Sequence, residues 1–252
     1  MPRFLAPVLA LALLGAPVCA SAQSFTDTQR GDIEAIVKSY LVAHPEVLEE
    51  AMNELQKRQT AAETAKHEAS IAQNAEAIFN SPRGVLLGNK DGDVTFVEFF
   101  DYNCGYCKRA MADMLDLMKN DSKLKVVLKE FPVLSEGSIE AARVAVAVRM
   151  QDPTGKKYLD FHQKLLGGRG AADKVRAMAA AKDAGLDTAR IEKDLASPEV
   201  KATLAENMKL AEEMGLNGTP SYVIGNQIVV GAVGLDGLKE KIGIARCGKA
   251  SC

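Results

Sequence analysis

The chain has 252 residues, of which 47% are hydrophobic and 25% are charged, and these proportions indicate a folded protein rather than a disordered segment. The formal net charge is −2, which excludes the strongly basic surface that binds nucleic acid through counterion release. The chain has no Trp and only 5% aromatic residues, so it also lacks the usual stacking platforms for single-stranded nucleic acids. We therefore expect no nucleic-acid partner.

The N-terminus, residues 1–22, is predicted to be a signal peptide. Arg3 gives it a positive start, an apolar run follows over residues 4–18, and residues 20–22 (Ala-Ser-Ala) form a small-x-small cleavage site. A lipoprotein signal at Cys19 is the alternative, but the residue before that cysteine is a bulky valine, which such sites disfavour. The sequence therefore predicts export to the periplasm. No later segment has about 20 uninterrupted apolar residues, so we expect a soluble product.

The next segment is predicted to be helical from Asp27 to about Asn80, with Thr26 or Asp27 as its N-cap. Pro45 divides it into two helices, because an interior proline removes a backbone hydrogen bond and clashes with the preceding turn. Apolar residues recur there at steps of three and four along one helical face, and we call them the apolar stripe: Ile33, Ile36, Val37, Tyr40, Leu41, Val47, Leu48, Met52 and Leu55.

The apolar stripe needs something to pack against. It could fold back on the downstream domain, or it could pair with the same stripe in another subunit. Residues 56–80 begin with a stretch of mostly Ala, Lys, Glu, Gln and Thr, and they are predicted to be a semi-rigid helical linker that holds the stripe away from the rest. We therefore favour self-association, and we assign residues 23–55 to a helical oligomerisation segment.

Residues 81–252 predict an α/β domain, because strands, a long helical block, and a late hairpin with a final helix follow one another. The charged residues between Lys119 and Lys129 are interpreted as a solvated face. A helical insertion is predicted at about 138–216. The predicted strands are Val94–Phe100, Leu124–Phe131, Ser221–Ile224 and Ile228–Val230, and the other predicted helices are Lys108–Lys119 and about Leu235–Ile244.

A Cys-Gly-Tyr-Cys motif, Cys104 to Cys107, lies between a predicted strand and a predicted helix. Two intervening residues in a first helical turn bring the two sulfurs within bonding reach. The first sulfur faces unpaired backbone N–H groups and the positive end of the helix dipole, which favour its thiolate. We therefore predict that Cys104 attacks substrate disulfides and that Cys107 is the resolving thiol.

A structural disulfide and a zinc site are the two other roles for this cysteine pair. A structural disulfide closing so small a loop would constrain the unfolded chain little. A zinc site would need Cys247 and Cys252 as further ligands, but their spacing and distant position fit a zinc ribbon poorly. Redox chemistry is therefore favoured, with no resident metal and no cofactor besides the redox-active disulfide. Copper binding by the two thiols stays open as an alternative.

Gly218-Thr219-Pro220-Ser221 precedes a late predicted strand. Proline cannot donate a ladder hydrogen bond, so it belongs at the start of a strand or at a bend, and alone this sequence would indicate a turn. Together with the cysteine motif it resembles the cis-proline loop of the thioredoxin superfamily, whose backbone lies beside the redox sulfurs. The resemblance implies a cis Thr219–Pro220 bond, a rare state. It also implies that Thr219, Pro220, Gly105 and Tyr106 contact substrate.

Residues 80–246 resemble the DsbA family of periplasmic disulfide oxidoreductases. Two segments, VEFFDYNCGYC and GTPSYVIGNQIVVGA, carry the resemblance, with a helical insertion between them. It implies a thioredoxin fold, and it implies that Glu98 is the buried acid that accepts or relays the proton of the resolving thiol; a half-exposed strand glutamate is the alternative. Gly105-Tyr106 stands where the most oxidising members have Pro-His, so strong oxidant behaviour is not implied.

The N-terminal helical segment ahead of this domain is similar in architecture to the ScsC proteins, suppressors of copper sensitivity. That resemblance implies a homo-oligomer, in particular a trimer, that acts as a disulfide isomerase or reductase on misoxidised client proteins. It further implies a membrane thiol reductase of the ScsB or DsbD type as electron donor and a link to copper tolerance. A dithiol oxidase and a copper-binding or copper-sequestering protein are the alternatives.

The remaining cysteines and the histidines complete the candidate sites. Cys247 and Cys252 lie in a short tail and are predicted to form a local disulfide with little effect on stability. The three histidines, His44, His67 and His162, are scattered along the chain and are predicted to be surface residues.

Overall fold

The computed structural model describes residues 25–252, and the predicted signal peptide lies outside them. The chain divides into two compact units that meet in sequence at Arg58 and Gln59. The helices of the described part are α1 (Asp27–Ala43), α2 (Glu46–Gln73), α3 (Ala75–Phe79), α4 (Gly105–Asn120), α5 (Glu136–Gln151), α6 (Lys156–Gly167), α7 (Lys174–Asp183), α8 (Thr188–Asp194), α9 (Pro198–Glu213) and α10 (Gly234–Cys247). The strands are β1 (Val85–Gly88), β2 (Val94–Phe100), β3 (Leu124–Glu130), β4 (Ser221–Ile224) and β5 (Gln227–Val230).

The first unit begins with a reciprocal cap on α1. The Gln29 backbone N–H donates to Thr26 Oγ1 at 3.3 Å, and the Thr26 backbone N–H donates to Gln29 Oε1 at 2.9 Å. Helix α2 starts directly after Pro45, as the sequence predicts. Helix α1 buries none of its residues. Most members of the apolar stripe are exposed: Ile33, Ile36, Val37, Tyr40, Leu48, Met52 and Leu55.

The second unit is built on a mixed five-stranded sheet with the order β1-β3-β2-β4-β5. Strands β2 and β3 are parallel, and the other neighbouring pairs are antiparallel. Both parallel strands are almost entirely buried, which explains why their sequences are mostly continuous apolar runs rather than alternating ones. Strand β2 ends at Phe100, so the loop that carries the cysteine motif starts at the carboxyl end of a rigid central strand.

Helices cover both faces of the sheet and create two buried cores. Phe96 and Phe100 of β2 belong to the larger core, to which α4, α5, α6 and α10 contribute. Val97 and Phe99 point to the other face, where α3 and α9 contribute. Since side chains alternate along a strand, Glu98 shares the face of Phe96 and Phe100, beneath α4. This arrangement, a sheet covered by helices with five of them inserted between β3 and β4, is the predicted thioredoxin-type α/β fold.

The inserted helices α5–α9 pack largely on one another. Helix α5 contacts α6, α7, α8 and α9, and it lies at the centre of this group. Its buried small and branched residues allow this close approach on several sides. Of the helices in residues 25–252, none combines the length and the apolar character that a membrane span requires.

Two features of the sheet differ from the sequence prediction. Strand β1 was not predicted; it is a four-residue edge strand that pairs antiparallel with β3, Val85 opposite Leu128. The interpretation of residues 119–129 as a solvated face is wrong for Lys129, whose side chain is 0% exposed. Its Nζ lies 3.8 Å from Glu206 Oε1, and burial lowers the pKa of Lys129 to about 8. A central strand buries both of its faces, and this places the lysine inside.

Candidate active site

Cys104 is the N-cap of α4. Its backbone is extended, with φ −82° and ψ 113°, and its Sγ accepts a hydrogen bond from the Cys107 backbone N–H at 3.3 Å. Both cysteines are free thiols; Cys104 is 6% exposed and Cys107 is 0% exposed. A sulfur at an N-cap meets the positive end of the helix dipole, which stabilises negative charge there. The two thiols thus occupy different surroundings within one helical turn.

The proline loop lies against the first sulfur. The Thr219–Pro220 peptide bond is cis, as the resemblance to the thioredoxin superfamily implies. The Thr219 carbonyl oxygen is 3.1 Å from Cys104 Sγ, and the Pro220 carbonyl accepts from the Gly231 backbone N–H at 2.8 Å. The loop is therefore fixed by backbone contacts beside Cys104.

A buried aspartate, which sequence reasoning missed, holds the loop between β2 and α4. Asp101 Oδ1 accepts from the Asn103 backbone N–H at 2.7 Å, and Oδ2 accepts from the Val133 and Leu134 backbone N–H groups at 2.9 and 3.0 Å. The Asp101 carbonyl also accepts from the Cys104 backbone N–H at 3.0 Å. This side chain joins the cysteine loop to the segment before α5, and an Asx turn after a strand is its sequence signal.

Glu98 lies in the buried layer under α4 with a side chain that is 3% exposed. Burial, with a contribution from the negative charge of Asp113, raises the pKa of Glu98 to about 8. Burial and the nearby Glu98 carboxylate raise the pKa of the Cys107 thiol well above its usual value. Tyr222 is opposite Glu98 in the sheet. The second thiol is thus held as a neutral S–H next to a carboxyl that titrates near neutral pH.

The other predicted contact residues are at the open side of the motif. Tyr106 is 60% exposed, and the Arg109 guanidinium lies 4.3 Å from the centre of its ring. A Cβ added at Gly105 would meet no atom within 4 Å, so the space beside Gly105 is open. Of these residues, Thr219 contacts the Cys104 sulfur through its carbonyl oxygen; substrate contact by Thr219, Pro220, Gly105 and Tyr106 stays a prediction.

The prediction that His162 is a surface residue is wrong. The side chain is 2% exposed, its ring packs edge-on against Phe100, and Tyr102 Oη lies 3.3 Å from its Nδ1. Burial lowers the pKa of His162 to about 3, so this histidine is neutral. His44 is exposed and His67 is partly exposed. Helix α6 places His162 against the loop before the cysteines, a long-range contact that residue spacing does not encode.

The last two cysteines, Cys247 and Cys252, are joined in a disulfide across five positions. They are therefore unavailable as ligands for a zinc centre shared with the motif cysteines. Within residues 25–252, no group of three or more His, Cys, Asp or Glu side chains is placed so that it could hold a metal ion.

Comparison with known families matches both parts of the chain. Residues 95–243 match the DSBA-like thioredoxin domain, and residues 29–62 match the copper resistance protein ScsC N-terminal domain. Two curated relatives are more distant. Disulfide bond formation protein D of Bacillus subtilis is 25% identical, over 62% of this chain and 74% of that protein. The Na(+)/H(+) antiporter NhaA of Herminiimonas arsenicoxydans is 29% identical, but the match covers 55% of this chain and only 22% of the antiporter.

Solved structures give the same picture. A thioredoxin-like oxidoreductase from Silicibacter pomeroyi is 44% identical to this chain, with a TM-score of 0.64. The match covers 68% of this chain and 96% of that structure. Proteus mirabilis ScsC in a transitional conformation is 30% identical, with a TM-score of 0.64, over 88% of this chain and 97% of its own. The thiol-disulfide exchange protein alpha-DsbA2 of Wolbachia pipientis is 30% identical, with a TM-score of 0.66. The match covers 72% of this chain and 96% of that structure. The chain therefore belongs to the DsbA-like thioredoxin domain family and is a thiol–disulfide oxidoreductase of the DsbA and ScsC type.

Proposed function

We propose that this oxidoreductase is an exported disulfide isomerase and reductase that acts on misoxidised client proteins. The observation that carries the proposal is the pairing of two features in one chain. The cysteine at the N-cap of α4 lies beside a cis-proline loop, and a helical segment of the ScsC type with an exposed apolar stripe precedes that domain. The first feature supplies the exchange chemistry, and the second supplies a means of bringing several active sites together.

In the reaction, the Cys104 thiolate attacks one sulfur of a client disulfide. A mixed disulfide forms and the other client sulfur leaves as a thiolate. A client thiolate can then attack the mixed disulfide, which isomerises the client and regenerates Cys104 without net oxidation. Alternatively, Cys107 attacks Cys104, which releases a reduced client and leaves the Cys104–Cys107 disulfide; two electrons have then passed from the protein to the client.

The second step needs a proton acceptor, because Cys107 is neutral in its buried site. Glu98 is the nearby group suited to this role. The charge of its carboxylate raises the pKa of the Cys107 thiol, and its own pKa of about 8 allows both protonation states near neutral pH. After a reductive cycle the disulfide must be reduced again. A membrane thiol reductase of the ScsB or DsbD type would supply the two electrons, and the predicted signal peptide would bring this chain to the periplasm, where that reductase could reach it.

Assembly follows from the apolar stripe. Most of its side chains are exposed, and α1, which carries five of its members, buries none of its residues. Burial of such side chains against a second copy is favourable by roughly 25 cal/mol per Å². Trimers are the assembly that the resemblance to ScsC proteins implies. Facing active sites in such a trimer would hold one client while its disulfides are exchanged.

Refolding of a substrate protein with scrambled disulfides tests this function. The full mature chain, added in catalytic amount with a glutathione buffer, should restore the substrate's activity faster than the buffer alone. A Cys104→Ser/Cys107→Ser variant, which keeps the fold and the stripe, should show only the buffer rate. If the unchanged chain oxidises reduced substrate quickly but does not accelerate recovery of scrambled substrate, the protein is a dithiol oxidase instead.

A copper-binding role is the second candidate, because the N-terminal match is to a copper resistance protein. Soft thiolates prefer Cu(I), and Cys104 and Cys107 are free thiols one helical turn apart. Titration of the reduced chain with Cu(I), with the double serine variant as control, separates the roles. Tight stoichiometric binding without any rescue of scrambled substrate would favour sequestration over exchange.

A further inference from the structure

A groove beside Cys104 is lined by the loop after β2 and the start of α4, by the segment before α5, and by the end of α6 with the loop that follows it. Its volume is about 590 Å³. Tyr102, Leu165 and Leu166 are its buried apolar lining residues. The residues that line the groove do not include those of the proline loop.

The charged residues that line this groove, Lys108 and Arg169, are both cationic. Lys108 is one helical turn from Cys104, since its backbone N–H donates to the Cys104 carbonyl at 3.1 Å. Its Nζ donates to the Gly168 carbonyl at 2.7 Å, which uses one of its three N–H bonds. Arg169 is exposed and has no hydrogen bond or ion pair with another residue in the part of the chain that the structure describes. Both cations are therefore available to an anionic ligand.

The loop that carries Arg169 is fixed relative to the cysteines. Asn103, the residue before Cys104, accepts from the Ala172 backbone N–H at 2.6 Å and donates to the Ala172 carbonyl at 3.0 Å. Arg176 donates to the Gly170 and Ala171 carbonyls and braces the same turn. The groove is thus a built feature with a positive rim.

We propose that this groove binds an acidic segment of the client polypeptide next to the disulfide under attack. This inference rests on the proposed function and names the substrate class of the same site. In this proposal, the client residues on one side of the disulfide lie along the proline loop, and those on the other side lie in the groove. Acidic side chains would face Lys108 and Arg169, and apolar side chains would contact the buried apolar lining residues. The whole chain has a net charge of −2, so this preference is local and opposes the overall charge.

Two peptides test the proposal. Each has one intramolecular disulfide, and they differ only in carrying Glu or Gln beside the cysteines. The prereduced full chain should reduce the Glu peptide about three to ten times faster at low ionic strength, since an exposed ion pair has modest strength. The difference should shrink at high ionic strength, because salt screens exposed charges. Each reaction converts the peptide disulfide to two thiols and the protein thiols to a disulfide.

Variants locate the effect. Arg169→Gln should reduce the ratio of the two rates, and Arg169→Glu should bring it to one or below. Lys201→Gln is the matched control, because Lys201 is also an exposed cation but lines a different groove along α9; the ratio should persist there. Three results would overturn the groove proposal and leave the proposed function standing. They are equal rates for the two peptides in the unchanged chain, an unaltered rate ratio in Arg169→Glu, and a fall of the ratio in Lys201→Gln as large as in the Arg169 variants. Failure to reduce either peptide would instead refute the proposed function.

Discussion

Helices α1 and α5 show how differently the two units use apolar residues. Helix α5 buries eight of its residues within the second unit, whereas α1 buries none. The second unit therefore has its own core and contains every part of the cysteine site. In the described part of the first unit, residues 25–58, no side chain is buried, and most of the apolar stripe is exposed. Chemistry and assembly should accordingly be separable by mutation, and the predictions below test that separation.

The largest effect is expected at the cysteines. Cys104→Ser should abolish disulfide exchange, because it removes the attacking sulfur, while Cys107→Ser should accumulate mixed disulfides with client, because it removes the sulfur that resolves them. Non-reducing electrophoresis with a disulfide-containing client measures both. Neither variant should change the oligomer mass. Trapping by Cys104→Ser rather than by Cys107→Ser would reverse the assigned roles.

The converse test alters only the first unit. Val37→Lys places a charge within the apolar stripe and should convert the proposed oligomer to a single chain, with loss of the proposed isomerase activity. Light scattering measures the mass. Val42→Lys makes the same change at an exposed residue on the opposite side of α1 and is the matched control. Alkylation of the cysteines should be equal in both variants. An unchanged mass for Val37→Lys would refute assembly through the stripe.

A smaller effect on rate is expected at Glu98. Glu98→Gln keeps the size of the side chain but cannot accept a proton, so attack by Cys107 on the mixed disulfide should slow by on the order of a hundredfold. In the unchanged protein this step should speed up as pH rises through about 8, where the carboxyl becomes charged. Stopped-flow release of a fluorescent client measures it. A Gln variant that keeps the same rise near pH 8 would exclude Glu98 as the acceptor.

Glu98 should also influence stability, by a few kcal/mol at most. Its pKa is about 8 in the folded protein against an ordinary value of 4.5, so the folded state holds a proton that the unfolded state loses. This contribution is complete below pH 4.5 and is lost as pH rises to about 8. The stability of Glu98→Gln relative to the unchanged protein should therefore increase across that window. Urea unfolding at several pH values measures the difference in unfolding free energy between the two proteins. A difference that stays constant with pH would contradict the stability effect of Glu98.

The sequence predicted the features that depend on local pattern. Strands β2 and β4, the start of α4 at the cysteine motif and the break at Pro45 all follow from short runs or single residues whose chemistry restricts the backbone. The cis-proline was implied by the resemblance to the thioredoxin superfamily. Strand β1 has only four residues with two buried, too few for periodicity to indicate a strand.

Long-range contacts explain the remaining differences. His162 is buried because α6 folds back on the loop before the cysteines, and Lys129 is buried because β3 has a neighbour on each side and helices on both faces. Asp101 serves the site through backbone groups more than 30 residues away. Residue type indicates none of these environments, since the same residues are usually exposed.

The central claim is that Cys104 is the reactive sulfur and that Cys107 is shielded beside a carboxyl. Iodoacetamide labelling of the reduced chain at neutral pH, followed by mass spectrometry of each cysteine peptide, tests it most directly. We expect rapid modification of Cys104, with Cys107 modified far more slowly until the chain is unfolded. Equal rates, or faster modification of Cys107, would contradict it.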